Sequence, residues 1–100
     1  MAGEGDQRVL PPSFLALFVP EGRIKPSASH EEMLARHEFC EDLATMLCER
    51  AAETHWRDGV DDGEVLRRIG LGLIEPATGL SAAEAGWVAS RVAEMLNWNR

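Results

Sequence analysis

Three times in this chain a helix-capping side chain is followed, three positions later, by glutamate: Ser29 with Glu32, Asp61 with Glu64, and Ser81 with Glu84. The first four N–H groups of any helix lack partners within it. In a capping box the first side chain accepts from an early N–H, and the glutamate reaches back to the N–H of the cap. The last two boxes carry apolar pairs suited to close a staple across the cap, Val60 with Val65 and Leu80 with Ala85. The repetition divides the chain into three helices before any periodicity is counted. It constrains architecture and says nothing about chemistry.

Hydrophobic spacing agrees. A first long helix is expected over His30–Arg57, stopped near Gly59. At 100° per residue Met33, His37, Cys40, Leu43, Ala44, Leu47, Cys48 and Ala51 share one arc, while Glu38, Asp42, Thr45, Glu49 and Glu53 fall opposite. Unbroken, such a helix would extend about 42 Å, whereas a compact chain of this length has a radius of gyration of about 13 Å. Either it bends near Glu53 or it projects towards a partner, which is the ground for expecting a homodimer.

The second helix, Asp62–Leu73, should bury Val65, Leu66, Ile69 and Leu73 and end ahead of Pro76. Gly70 and Gly72 weaken its last turns by roughly 1 kcal/mol each relative to alanine. The third, Ala82–Trp98, presents Ala85, Val88, Ala89, Val92, Met95 and Leu96 as a core stripe, with Trp87, Arg91, Glu94 and Trp98 on a second stripe.

Ahead of these helices, Pro11 and Pro12 suit the first turn of a short helix. Phe14, Leu17 and Phe18 follow at i, i+3, i+4, and Pro20 ends the segment. A strand over Phe14–Val19 is the alternative. The fold class expected is therefore all-α: three main helices in a small bundle plus a short N-terminal aromatic helix or extended segment. Residues 1–10 read as a flexible tail and 11–100 as one helical domain.

Charge narrows the partners. The net charge is −7, and Glu31 to Glu64 holds 11 acids against 3 bases. Such a segment repels phosphate backbones, so nucleic acid is not an expected ligand. It is either a solvated face or a docking surface for something basic. Cys40 and Cys48 lie on one helix about 12 Å apart, too far for a disulfide between them. Reduced thiols point to the cytoplasm. No run approaches the 18 or more apolar residues of a membrane span, and no secretory signal opens the chain.

The chemistry-bearing motifs are incomplete. The Asp58–Gly63 run resembles a calcium loop, but counting from Asp58 puts Val60 at position 3 and Ile69 at position 12, where calcium needs oxygen. His37, Cys40 and Glu41 sit at i, i+3, i+4 and could share a metal, yet no second cluster completes a closed set of ligands. Lys25 is the only lysine and precedes Pro26, so no phosphate loop exists, and no Gly-x-Ser-x-Gly elbow occurs. Cys40 and Cys48 fall on or beside the apolar face, where a thiolate is disfavoured. No catalytic residue, cofactor or metal is expected.

Two regions remain for binding: Phe14, Leu17 and Phe18 in the N-terminal segment, and Trp87, Arg91 and Trp98 on the third helix. Tryptophan and arginine dominate interface energetics. Either the two regions cover one another, or they form a patch for a protein partner or a second copy.

The stretches Pro12-Ser13-Phe14, Phe18-Val19-Pro20-Glu21-Gly22-Arg23, Cys40-Glu41-Asp42-Leu43-Ala44 and Glu84-Ala85-Gly86-Trp87-Val88 resemble a group of uncharacterised proteobacterial proteins of roughly this length. Some of these carry the label "ATPase with chaperone activity". The chain has neither the phosphate loop nor the size of an ATPase domain, so the resemblance implies at most a companion of such a machine. No active-site residue carries over. The expectation is a non-enzymatic interaction module or small homodimeric adaptor; the alternative is a small metal- or ligand-dependent enzyme using His37, Cys40 and Glu41.

Overall fold

The structure, a computed structural model, describes residues 9–98. Most of the tail expected over 1–10 lies outside these residues; of its last two, Val9 is exposed and Leu10 buried. The described residues are mostly helical, with no strand among them. Within the span expected as one domain, the chain divides into two compact units, one reaching to Phe39 and one from Cys40 onward.

In the first unit Pro12 opens a single helical turn, α1 (Pro12–Leu15), which tightens into a 3₁₀ turn over Ala16–Phe18. The Pro11 carbonyl accepts the N–H groups of Phe14 and Leu15 at 2.9 and 3.0 Å, so the missing proline N–H costs nothing here. The aromatic segment is thus a helix rather than the alternative strand. After Pro20 the chain reverses through a turn in which the Arg23 N–H donates to the Pro20 carbonyl and Gly22 takes φ +79°. That conformation is costly for a residue with a Cβ. The Ser27 N–H then donates to the Phe18 carbonyl at 2.6 Å, returning the connector to the aromatic turn.

Helix α2 (His30–Asp58) starts where the first box places it. The Glu32 N–H donates to Ser29 Oγ at 3.1 Å, and the Ser29 N–H donates to Glu32 Oε1 at 2.8 Å. These bonds hold the Glu32 carboxyl below its usual range. The helix runs unbroken past Glu53, where a bend was one expectation, and stops where Gly59 turns to φ +67°.

In the second unit α3 (Asp62–Leu73) and α4 (Ala82–Met95) follow, with α3 packed against α4. Contacts from α2 to α4 and the residues just after it advance in the same sense along the chain: Glu41 meets Arg91, Cys48 meets Val92 and Met95, and His55 meets Trp98. The core draws on Cys40, Ala44 and Ala51 of α2, Val65 and Leu73 of α3, and Ala85, Val88, Val92 and Ala93 of α4. Between α3 and α4 the Thr78 hydroxyl lies within reach of the Leu73 and Glu75 carbonyls and accepts from the Leu80 N–H, which fixes the loop.

The three caps are not equivalent. Ser81 and Glu84 form a complete box. Asp61 accepts from the Glu64 N–H at 2.8 Å, but the Glu64 carboxylate turns instead to Arg67 and Arg68, at 2.7–2.9 Å. Charge-assisted bonds to guanidinium are stronger than one to a neutral N–H, so the arginines one turn on win. They hold the Glu64 carboxyl at about 2, against an ordinary 4.5. A depressed carboxyl favours the folded state above its unfolded value, and that contribution is lost as pH falls through the folded one. Carboxyl NMR titration should place Glu64 near 2 in the native chain, and in Arg67→Ala/Arg68→Ala back towards the ordinary carboxyl value. An ordinary midpoint in the native chain would contradict the pairing.

Candidate interaction surface

The residues expected to bind a partner occupy different environments. Phe14 has no exposed surface. Its ring lies 5.4 Å from that of Phe18 and 5.1 Å, edge-on, from the imidazole of His37. Phe14 is therefore core of the first unit. Leu17 and Phe18 beside it are half-buried.

On the second unit Trp87, Arg91 and Trp98 are half-buried. Trp98 is not on a helix, although the third helix was expected to reach it. Helix α4 ends at Met95; Asn97 takes φ +59°, its N–H donates to the Glu94 carbonyl, and the Trp98 N–H donates to the Ala93 carbonyl at 2.8 Å. This is a Schellman closure with asparagine in the left-handed position. It swings Trp98 off the stripe it would share with Trp87 and sets its indole 5.1 Å from the His55 ring. His55 Nδ1 lies 2.7 Å from the Val60 carbonyl. A carbonyl only accepts, so Nδ1 carries the hydrogen.

Arg91 is committed to its own chain. Its Nε donates to Glu41 Oε1 at 3.0 Å, its Nη2 to Glu41 Oε2 at 2.9 Å, and its Nη1 to Glu94 Oε1 at 3.2 Å. The fork-to-carboxylate geometry is the strong form of an ion pair. With side chains 34% and 31% exposed, solvent screens part of it. Arg91→Ala should cost about 1–2 kcal/mol in denaturant unfolding. A double-mutant cycle with Glu41→Ala should return a coupling of about 1 kcal/mol; zero coupling would show the pair to be ornamental.

The alternative catalytic or metal residues have structural neighbours too. His37 lies edge-on to Phe14, Cys40 is fully buried, and the Glu41 carboxylate sits in the Arg91 fork. Among the described residues no group of three or more His, Cys, Asp or Glu side chains is placed to hold a metal. Cys48 donates towards Met95 Sδ at 3.5 Å, and burial pushes its thiol above the ordinary value.

Sequence reasoning missed the most exposed aromatic side chain of this unit. Trp56, near the C-terminal end of α2, is 85% exposed. Taken at 100° per residue, Asp42, Met46, Glu49, Glu53 and Trp56 fall within an arc of about 80°. All five are exposed. The signal was present, since Trp56 shares the face of Glu49 and Glu53, which were themselves assigned to the polar side. Leu71 and Ile74, at the end of α3, are also more than half exposed.

Comparison with protein-family models, with curated proteins and with solved structures finds no match for this chain. Among the described residues no helix is long and apolar enough to cross a membrane.

Proposed function

We propose that this chain is a non-enzymatic interaction module, an adaptor or regulator built as three main helices with the aromatic N-terminal segment, acting on a protein partner in the cytoplasm. The observation that carries this reading is Trp56, a tryptophan 85% exposed on a regular helix. Tryptophan is the residue type most enriched where binding energy concentrates, and Met46, 51% exposed, adds a second apolar side chain to the same face. Support also comes from the titratable side chains, which hold the chain together: Glu41 binds Arg91, Glu64 binds Arg67 and Arg68, and His55 lies against Val60 and Trp98. Leu17, Phe18, Trp87 and Trp98 retain part of their surface and extend the set of contact residues. Arg91 and Phe14 act within it as supports. Companionship with a chaperone-type machine is the partner class that the sequence resemblance suggests.

The test is affinity purification of the full chain from its native cell, followed by mass spectrometry and by assay of the purified chain for nucleotide turnover. A protein retained in stoichiometric amount is expected. A chain that purifies alone and turns over nucleotide would contradict the reading.

A further inference from the structure

We propose that the exposed face of α2 formed by Asp42, Met46, Glu49, Glu53 and Trp56 docks a basic helical segment of a partner protein, with a lysine or arginine of that segment seated on the Trp56 indole. The proposal rests on the interaction-module reading and adds the surface and the partner chemistry.

Another exposed aromatic of α2 already carries a cation on its face. Phe39 is 42% exposed, and the guanidinium of Arg36, one helical turn earlier, lies over its ring at 5.1 Å. An aromatic face attracts a cation in this way because the ring quadrupole is negative above its plane. Indole is a better acceptor than phenyl, yet among the described residues nothing stacks on Trp56 or bonds to it. Residues three and four positions earlier are helical neighbours, and there Trp56 has Glu53 and Ala52. The adjacent Arg57 turns to carboxylates, with Nη1 3.6 Å from Glu53 and Nε 3.5 Å from Asp58. Among the described residues no cation lies over Trp56, and the proposal assigns that place to a partner's.

Charge then selects the occupant. Three of the five side chains on the arc are carboxylates, in the acidic Glu31–Glu64 stretch of a chain of net charge −7. A second copy laid on this face would oppose like charges, and anionic lipid or nucleic acid would be repelled. A cationic polypeptide is attracted, and its lysines or arginines find carboxylate and indole side by side. Met46 and Trp56 lie about 15 Å apart along the helix axis, so one apolar ridge of a docked helix about ten residues long spans both. Methionine adapts to varied apolar partners.

A synthetic 20-residue helical peptide with lysine and leucine at helical spacing, fluorescently labelled, tests this by anisotropy titration with the full chain. Saturable binding is expected, weakened about tenfold or more in both Trp56→Ala and Glu49→Lys. Glu21→Lys, which changes net charge equally from an exposed site in the other unit, should stay within about twofold. Circular dichroism of each variant should match the parent, since the substituted side chains are exposed. No saturable binding, or equal loss in Glu21→Lys and Glu49→Lys, would overturn the proposal. So would sedimentation of the parent as a dimer that Trp56→Ala turns into a monomer, since a second copy would then cover the face. If the native partner co-purifies with Trp56→Ala as well as with the parent, the module reading stands and this face is not its site. If no protein co-purifies with the parent, both fall.

Discussion

Replacing Phe14 with alanine should destabilise the chain by about 3–5 kcal/mol, the usual cost of emptying a phenylalanine site that cannot collapse. Phe14 is completely buried, and its ring rests on Phe18 and His37. Removal strips both of those rings of a partner and loosens the aromatic turn that the Ser27 N–H ties back through the Phe18 carbonyl. Thermal unfolding should fall by well over ten degrees, at several degrees per kcal/mol for a domain of this size. The Ser27 amide should lose its protection from hydrogen exchange. A variant that melted like the parent but lost its partner would instead make Phe14 a surface residue, which was one of the two readings the sequence left open.

Val92→Asp should have the larger effect. Val92 has no exposed surface on α4, beside Val88, which is equally buried. The Val92 carbonyl is the group towards which the Cys48 thiol points, at 3.8 Å. Burial of the valine contributes about 1.5–3 kcal/mol, which aspartate forfeits. An unpaired carboxylate there adds several kcal/mol more unless it protonates. Against a total stability of about 5–15 kcal/mol for a chain of this length, the sum leaves little or no native population. The expected result is no cooperative thermal transition at pH 7. A partial return at low pH, where the carboxyl is neutral, would fit the same cause. An intact transition at pH 7 would place Val92 outside the core.

The helix starts were legible because capping is local: Ser29, Asp61 and Ser81 each precede the helix their box announced, and α3 spans the residues its periodicity assigned. The core was legible in outline for the same reason, with Met33, Cys40, Ala44 and Ala51 of the expected α2 arc buried. Helix ends were harder. The last turn of α4 was expected to continue to Trp98, but Asn97 closes it, and asparagine in a left-handed position was a readable stop signal. Glu64 shows another limit, since its box was half right and two arginines downstream decided the rest. The Glu41–Arg91 pair joins residues 50 positions apart, and no periodicity within either helix points to it. Trp56 was hidden differently: counting apolar residues toward a core gives no weight to one that lies among carboxylates.

The most direct measurement places a photo-crosslinking amino acid at position 56 of the full chain, and for comparison at position 21, in the native cell. One discrete heterologous adduct is expected from position 56, its crosslinked peptide rich in lysine or arginine, and none from position 21. Identical adducts from both positions, an adduct only with a second copy of the chain, or no adduct at position 56 would contradict it.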